Sequence, residues 1–304
     1  MSDADGVKVL DQDVVARIAS LRITARRAVE GLRSGIHRSP HRGASVVFAE
    51  HREYRPGDDL RLLDWRAFAR SDRHTIKRFE QETHLRAHLL LDVSASMAFD
   101  GGEPALDKRA YAATLLAAMA FVLLGQGDAV GALTLADTLH ETIAARARPG
   151  QLDALLSLLG RAQTAGARTN LKTALTLAAE RVGRRGLVVL GSDLLDFEPT
   201  ALEPLTRLRS LGHDVIVFHV LHPHEIHFPF NERTRFVDPE TLESMDTDPE
   251  AVAAAYREQM RAHIVSCRQR CTSAGARYVL ARTDIPVQES IAQALSFRTQ
   301  RSWA

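Results

Sequence analysis

The stretch His88-Leu89-Leu90-Leu91-Asp92-Val93-Ser94-Ala95-Ser96-Met97 decides the fold. Its first part, His88 to Val93, is a short continuous apolar run, the pattern of a strand buried on both faces. Its second part turns polar at once, so a carboxylate and two alternating serines stand at the carboxyl end of that strand. Working outward, the same texture recurs. Residues 129–135 read as a strand with 138–144 as a second one paired to it, and 186–190 and 213–221 are further strands, with another at 276–281. Between them, helical spacing covers 108–124, 150–160, 171–182, 200–211, 249–273 and 286–297. Repeated strand–helix units with continuous apolar strands predict a doubly wound, mostly parallel α/β sheet with helices on both faces.

Upstream the texture differs. Residues 12–33 form an amphipathic helical pattern through Val15, Ile18, Leu21, Ile23, Val29 and Leu32, stopped by Ser34-Gly35. Residues 36–85 are polar and rich in arginine, with a turn at Arg55-Pro56-Gly57-Asp58. The expected organisation is a smaller Arg/Asp-rich segment, 1–86, packed on a sheet domain at 87–304. A chain of 304 residues has room for one large or two ordinary domains.

Composition narrows the function. Basic and acidic residues balance at 39 against 38, which argues against a nucleic-acid binder. Lysine is scarce: Lys8, Lys77, Lys108 and Lys172 are the only four, leaving 35 of the 39 cations as arginine. Two cysteines, Cys267 and Cys271, cannot build a disulfide framework. The apolar run Ala110 to Gly125 falls short of the ~20 residues of a membrane span and reads as a buried helix. A cytoplasmic protein without a membrane span or signal peptide is expected.

Ligands of doubly wound sheets bind beyond the carboxyl ends of the strands, near the point where the winding reverses. Three such positions carry oxygen donors: Asp92-Val93-Ser94-Ala95-Ser96, Arg168-Thr169-Asn170 and Gly191-Ser192-Asp193. Carboxylate and hydroxyl oxygens suit a hard cation such as Mg²⁺, which keeps several waters. Two carboxylates would roughly neutralise it and leave a vertex for an external carboxylate. Singly, each of these residues is also a common helix cap or loop residue.

The pattern Asp92-x-Ser94-x-Ser96 with Thr169 and Asp193 resembles the metal-ion-dependent adhesion site of von Willebrand factor A domains. That resemblance implies that the serines hold the ion directly, Thr169 directly or through water, and the aspartates mostly through water. The implied ion is Mg²⁺, with Mn²⁺ or Ca²⁺ as other divalent choices. Upstream, Ser34-Gly35-x-His37-x-Ser39, Gly43-x-Ser45, Arg52-x-Tyr54-x-Pro56-Gly57-Asp58-Asp59-x-Arg61, Asp64-Trp65, Ala69-Arg70 and Lys77-x-Phe79-Glu80-x-Glu82 are similar to the bacterial family called domain of unknown function fifty-eight. That likeness implies a module working beside a MoxR-type AAA+ ATPase in protein complex assembly or maturation, and not an enzyme. Many members carry two N-terminal membrane helices, which this sequence lacks.

Two other functions compete. A phosphatase-like hydrolase could use the same strand-end carboxylates, with Asp193 and Asp196 as an acidic pair. It would need an acid two positions after Asp92, where Ser94 stands. A metal-free structural scaffold is the other. No P-loop sequence is present. His263, Cys267 and Cys271 share a helical face but span ~12 Å, which favours core packing over one ion. His219, His222, His224 and His227 read as strand-end and loop residues. Segment 50–82 reads as a salt-bridged network, with Trp65 and Phe68 expected to anchor it.

Overall fold

A computed structural model describes residues 12–33, 46–53, 75–81, 85–102, 107–162, 170–183, 185–196, 198, 200–232, 234–241 and 243–296. It divides the chain into two compact units, one formed by 1–37 with 86–304 and the other by 38–85.

In the larger unit the elements follow in the order helix α1 (Gln12–Arg33), strand β3 (Arg86–Asp92), α2 (Lys108–Gly125), β4 (Ala129–Leu135), β5 (Leu139–Arg146), α3 (Gln151–Arg161) and α4 (Leu171–Arg181). Then come β6 (Gly186–Ser192), α5 (Glu203–Ser210), β7 (His213–Leu221), α6 (Pro223–His227), β8 (Thr234–Val237), β9 (Ser244–Thr247), α7 (Pro249–Ser273), β10 (Arg277–Arg282) and α8 (Val287–Ser296). Strands β1 (Val46–Glu53) and β2 (Thr75–Gln81) belong to the smaller unit and pair antiparallel with each other.

Six strands form one sheet in the order β10-β7-β6-β3-β4-β5. All neighbours are parallel except the edge pair β4–β5. This is the doubly wound α/β architecture that the apolar strands predict. Strand β3 is central because its side chains are buried on both faces from Ala87 to Asp92. Leu90 joins Val188, Leu190, Val215 and Val217 in a core closed by α4, α5 and Cys267 and Cys271 of α7. Successive strand residues face opposite ways, so Leu89 and Leu91 serve the other face, under α2. Each leucine so enclosed contributes about 1.5–3 kcal/mol.

Helix α2 is, among the described residues, the one helix long and apolar enough to cross a membrane by length and composition, and 67% of that stretch is buried inside the fold. The sheet lies on one side of it, with α1, α3 and α8 also against it. Helix α1 faces inward through Leu21, Ala25 and Ala28; Ile23, read as part of its apolar set, is 54% exposed. Helix α1, part of the segment 1–86 expected to form a smaller body of its own, thus belongs to the unit that contains the sheet.

Three short features depart from the sequence reading. The β1–β2 ribbon lies in the polar segment, and α6 with the β8–β9 hairpin lies where a loop was expected. The helix α6 and strands β8 and β9 are too short to show a period of their own, and β1 and β2 carry charged residues where an apolar run would have marked a strand. The backbone pairing Val46↔Gln81 to Glu53↔Thr75 is broken by a bulge between Phe48 and Glu50, which shifts the alternation. Trp65 and Phe68 lie outside the described residues.

Candidate functional site

Strand β3 continues through α2 to β4 on one side of it, whereas β6 continues through α5 to β7 on the other. Adjacent strands whose connections leave in opposite directions open a crevice at their carboxyl ends. The register Leu91↔Gly191 puts the end of β3 beside the end of β6. Gly191 lets α2 pack closely here: a Cβ on it would lie 3.3 Å from the Ala112 Cβ of α2, so one of the two would have to shift slightly.

Asp92, Ser94, Ser96, Ser192 and Asp193 are all buried at this crevice. Asp92 Oδ1 accepts the Ser94 backbone N–H at 2.9 Å, and Oδ2 accepts the Ser192 hydroxyl at 2.5 Å. The Ser94 and Ser96 hydroxyls are 3.1 Å apart, so the alternating serines do share one side of the turn. Ser96 and Lys108 both help to hold down the Asp193 carboxyl, whose charge in turn acts on Asp92. Four of the five predicted residues are thus brought together from two segments. The fifth, Thr169, lies outside the described residues. Its neighbour Asn170 caps α4 by accepting the Thr173 N–H.

The sequence reading missed three members. Ser192 bonds Asp92 and also accepts the Leu194 N–H at 3.0 Å. Lys108, the first residue of α2, has a side chain with no exposure and donates to Asp193 Oδ2 at 2.7 Å and to Glu225 Oε1 at 2.6 Å. Glu225 sits on α6 and accepts the His222 N–H at 2.8 Å through its other oxygen. The scarcity of lysine was the available signal for Lys108. Glu225 stands in a Pro- and His-rich stretch that gave no sign of reaching the sheet edge.

The electrostatics follow from burial. Asp92 is pushed up to about 6, first by loss of water and then by the Asp193 charge, against the hydrogen bonds of Ser192 and Ser94. Burial works to raise Asp193 too, but the Lys108 ammonium outweighs it and holds that carboxyl below its usual range. Burial would lower Lys108; the Asp193 and Glu225 charges hold it above its usual value instead. Glu225 stays raised by burial even with Lys108 beside it. The crevice is therefore a buried cluster of three carboxylates and one ammonium. The residue after Asp193, Leu194, takes φ 52 with its side chain buried, a costly left-handed turn that ends the strand abruptly.

The donor set is compatible with a hard cation. Asp92 bonds only uncharged groups in the contacts above, and a divalent ion would offset both the burial and the Asp193 charge that raise it. Asp92, Ser94, Ser96 and Asp193 are the described residues that could hold such an ion. Among the described residues no three His, Cys, Asp or Glu side chains come together as a metal-binding group, so hydroxyls and water would have to complete the coordination. Asp196 accepts the Leu171 and Glu198 N–H groups, a capping role. Cys267 and Cys271 are buried free thiols in the core, Cys267 Sγ lying 3.5 Å from His263 Nε2. His219 is buried on β7 against the Tyr278 hydroxyl at 2.7 Å, and His222 caps α6.

Residues 50–266 match the family model described as "Protein of unknown function DUF58". The chain belongs to the DUF58 family. Relatives of this DUF58 chain include uncharacterized proteins of Mycobacterium bovis and Mycobacterium tuberculosis, each 28% identical over 278 residues, covering 90% of this chain and 86% of theirs. Similar solved structures include BatB from Bacteroides thetaiotaomicron, at TM-score 0.48 and 19% identity over 71% of this chain and 100% of that one. Another is the von Willebrand A domain of SpRpn10, at TM-score 0.39 and 9% identity over 69% of this chain and 95% of that one.

Proposed function

We propose that this DUF58 chain is a cytoplasmic, metal-dependent protein-binding module. Asp92, Ser94, Ser96 and Asp193, with Thr169, would hold a divalent cation, Mg²⁺ foremost and Mn²⁺ or Ca²⁺ as the alternatives. An Asp or Glu of a partner protein would complete the coordination. The partner proposed from the family resemblance is a MoxR-type AAA+ ATPase, in protein complex assembly or maturation. The chain's own residues bind and orient; the ion would supply only a Lewis-acidic anchor for the incoming carboxylate.

One observation carries this reading. Two segments a hundred residues apart bring hard oxygen donors into one buried cluster at the switch point, and the Asp92 carboxyl there is raised first by burial and then by the Asp193 charge. Helix capping accounts for Asn170 and Asp196, but it does not account for the paired Ser94 and Ser96 hydroxyls or for the Ser192-to-Asp92 bond that links β6 to β3.

The test uses the full chain and a purified MoxR-type ATPase from the same organism. Capture is expected with Mg²⁺ and absent with EDTA, and Asp92→Ala should abolish it while circular dichroism stays native. Equal capture by wild type and variant in Mg²⁺ would overturn the metal-dependent reading.

A further inference from the structure

We infer that Lys108 is a fixed internal cation of the strand-end site, one that pins Asp193 and Glu225 and weakens the site's hold on a free divalent ion. The inference rests on the reading of that cluster as a cation site.

Nothing local explains a lysine at this position. It is the first residue of α2, directly after the N-cap Asp107. Here the positive end of the helix dipole disfavours a cation. Its ammonium is withdrawn from water, with the Phe99 ring centroid 5.9 Å away. An ammonium so placed is tolerable only because two carboxylates receive it, at 2.7 and 2.6 Å. A chain that otherwise uses arginine for 35 of 39 cations keeps a compact point charge here.

The charge count gives the consequence. With Asp92, Asp193 and Glu225 ionised, the cluster carries three negative charges, and Lys108 reduces them to two. One divalent ion then brings the cluster to zero and leaves it open to an acidic partner. Without Lys108 the loaded cluster would remain negative and repel that partner. The same ammonium, bonded to Asp193, repels any ion shared between Asp193 and Asp92. Free-ion affinity is traded for receptivity to an external carboxylate.

The experiment titrates Mn²⁺ into the full-length chain and follows the free-ion signal by electron paramagnetic resonance, for wild type, K108M and K108M/E225Q. The double variant matters for two reasons. It leaves fewer unpaired buried charges than K108M, so it keeps the test available if K108M does not fold. It also preserves the cluster's net charge, so a change in affinity reports the local repulsion. Mn²⁺ binding at least tenfold tighter in K108M/E225Q than in wild type is expected, and K108M, where folded, should bind tighter still. Binding to the double variant that is equal or weaker, with wild type still binding, overturns the inference alone. Failure of every form to bind Mn²⁺ overturns it together with the cation-site reading.

Discussion

Replacing Asp92 by Asn should make the ion-free protein more stable, not less. The side chain is buried and its folded-state carboxyl is raised from 3.8 to about 6. A carboxyl raised on folding favours the protonated form, so its ionisation above pH 6 works against the fold. The penalty is fully present above the folded value and is relieved as pH falls from about 6 to 3.8. The shift of roughly two units corresponds to about 3 kcal/mol at neutral pH. Asparagine removes the charge, keeps an oxygen for the Ser94 N–H, and turns an amide toward the Ser192 hydroxyl, which can reorient to accept it. Some of the gain is lost to poorer geometry, about 1 kcal/mol per weakened bond. A net gain of about 1–2 kcal/mol in EDTA at pH 7.5 remains, read as a higher urea midpoint at unchanged slope. Mg²⁺ should reverse the order. Wild type gains about 2.7 kcal/mol when the ion stands at 100 times its Kd, and the variant gains little. A variant less stable than wild type in EDTA would refute the claim that Asp92 is charged at a cost to folding.

Two further outcomes test the frame around the site. His88, buried on β3 with Nε2 lacking a hydrogen-bond partner among the described residues, is lowered to about 4, first by burial and then by His213 and Arg86. Its folded value lies below the unfolded 6.5, so stability is full above 6.5 and falls with pH toward 4, by about 3 kcal/mol. His88→Leu should flatten that part of the acid-unfolding curve, and an unchanged pH slope would count against the assignment. Gly191→Val should press on Ala112 and Leu116 of α2 and cost about 1–3 kcal/mol in thermal or urea unfolding. An unaltered midpoint would mean that α2 yields freely at the crevice.

The sheet was legible because its strands are buried on both faces, which removes polar residues from 89–91, 187–190 and 215–218 and leaves unmistakable apolar runs. Half of the site was legible for a related reason. A residue that follows such a run must lie at the sheet edge, and Asp92 and Asp193 do. Lys108 and Glu225 were not legible, because each sits in a charged or polar stretch that looks like an ordinary solvated face. Only the tertiary path of α6 brings Glu225 over the start of α2, 117 positions away in sequence. The short hairpins escaped because backbone pairing needs no apolar period. In α1 the helix and its buried Leu21 were legible, but the rest of its inward face was not, since alanines at 25 and 28, rather than Ile23, are buried.

The hydrogen bond between Ser192 and Asp92 joins positions a hundred apart. The first half of this constellation supplies Asp92 with only the Ser94 N–H; the Ser192 hydroxyl arrives when β6 lies beside β3. No amino-terminal fragment ending before residue 193 can contain the pocket. The crevice is thus complete only when the two central strands stand side by side.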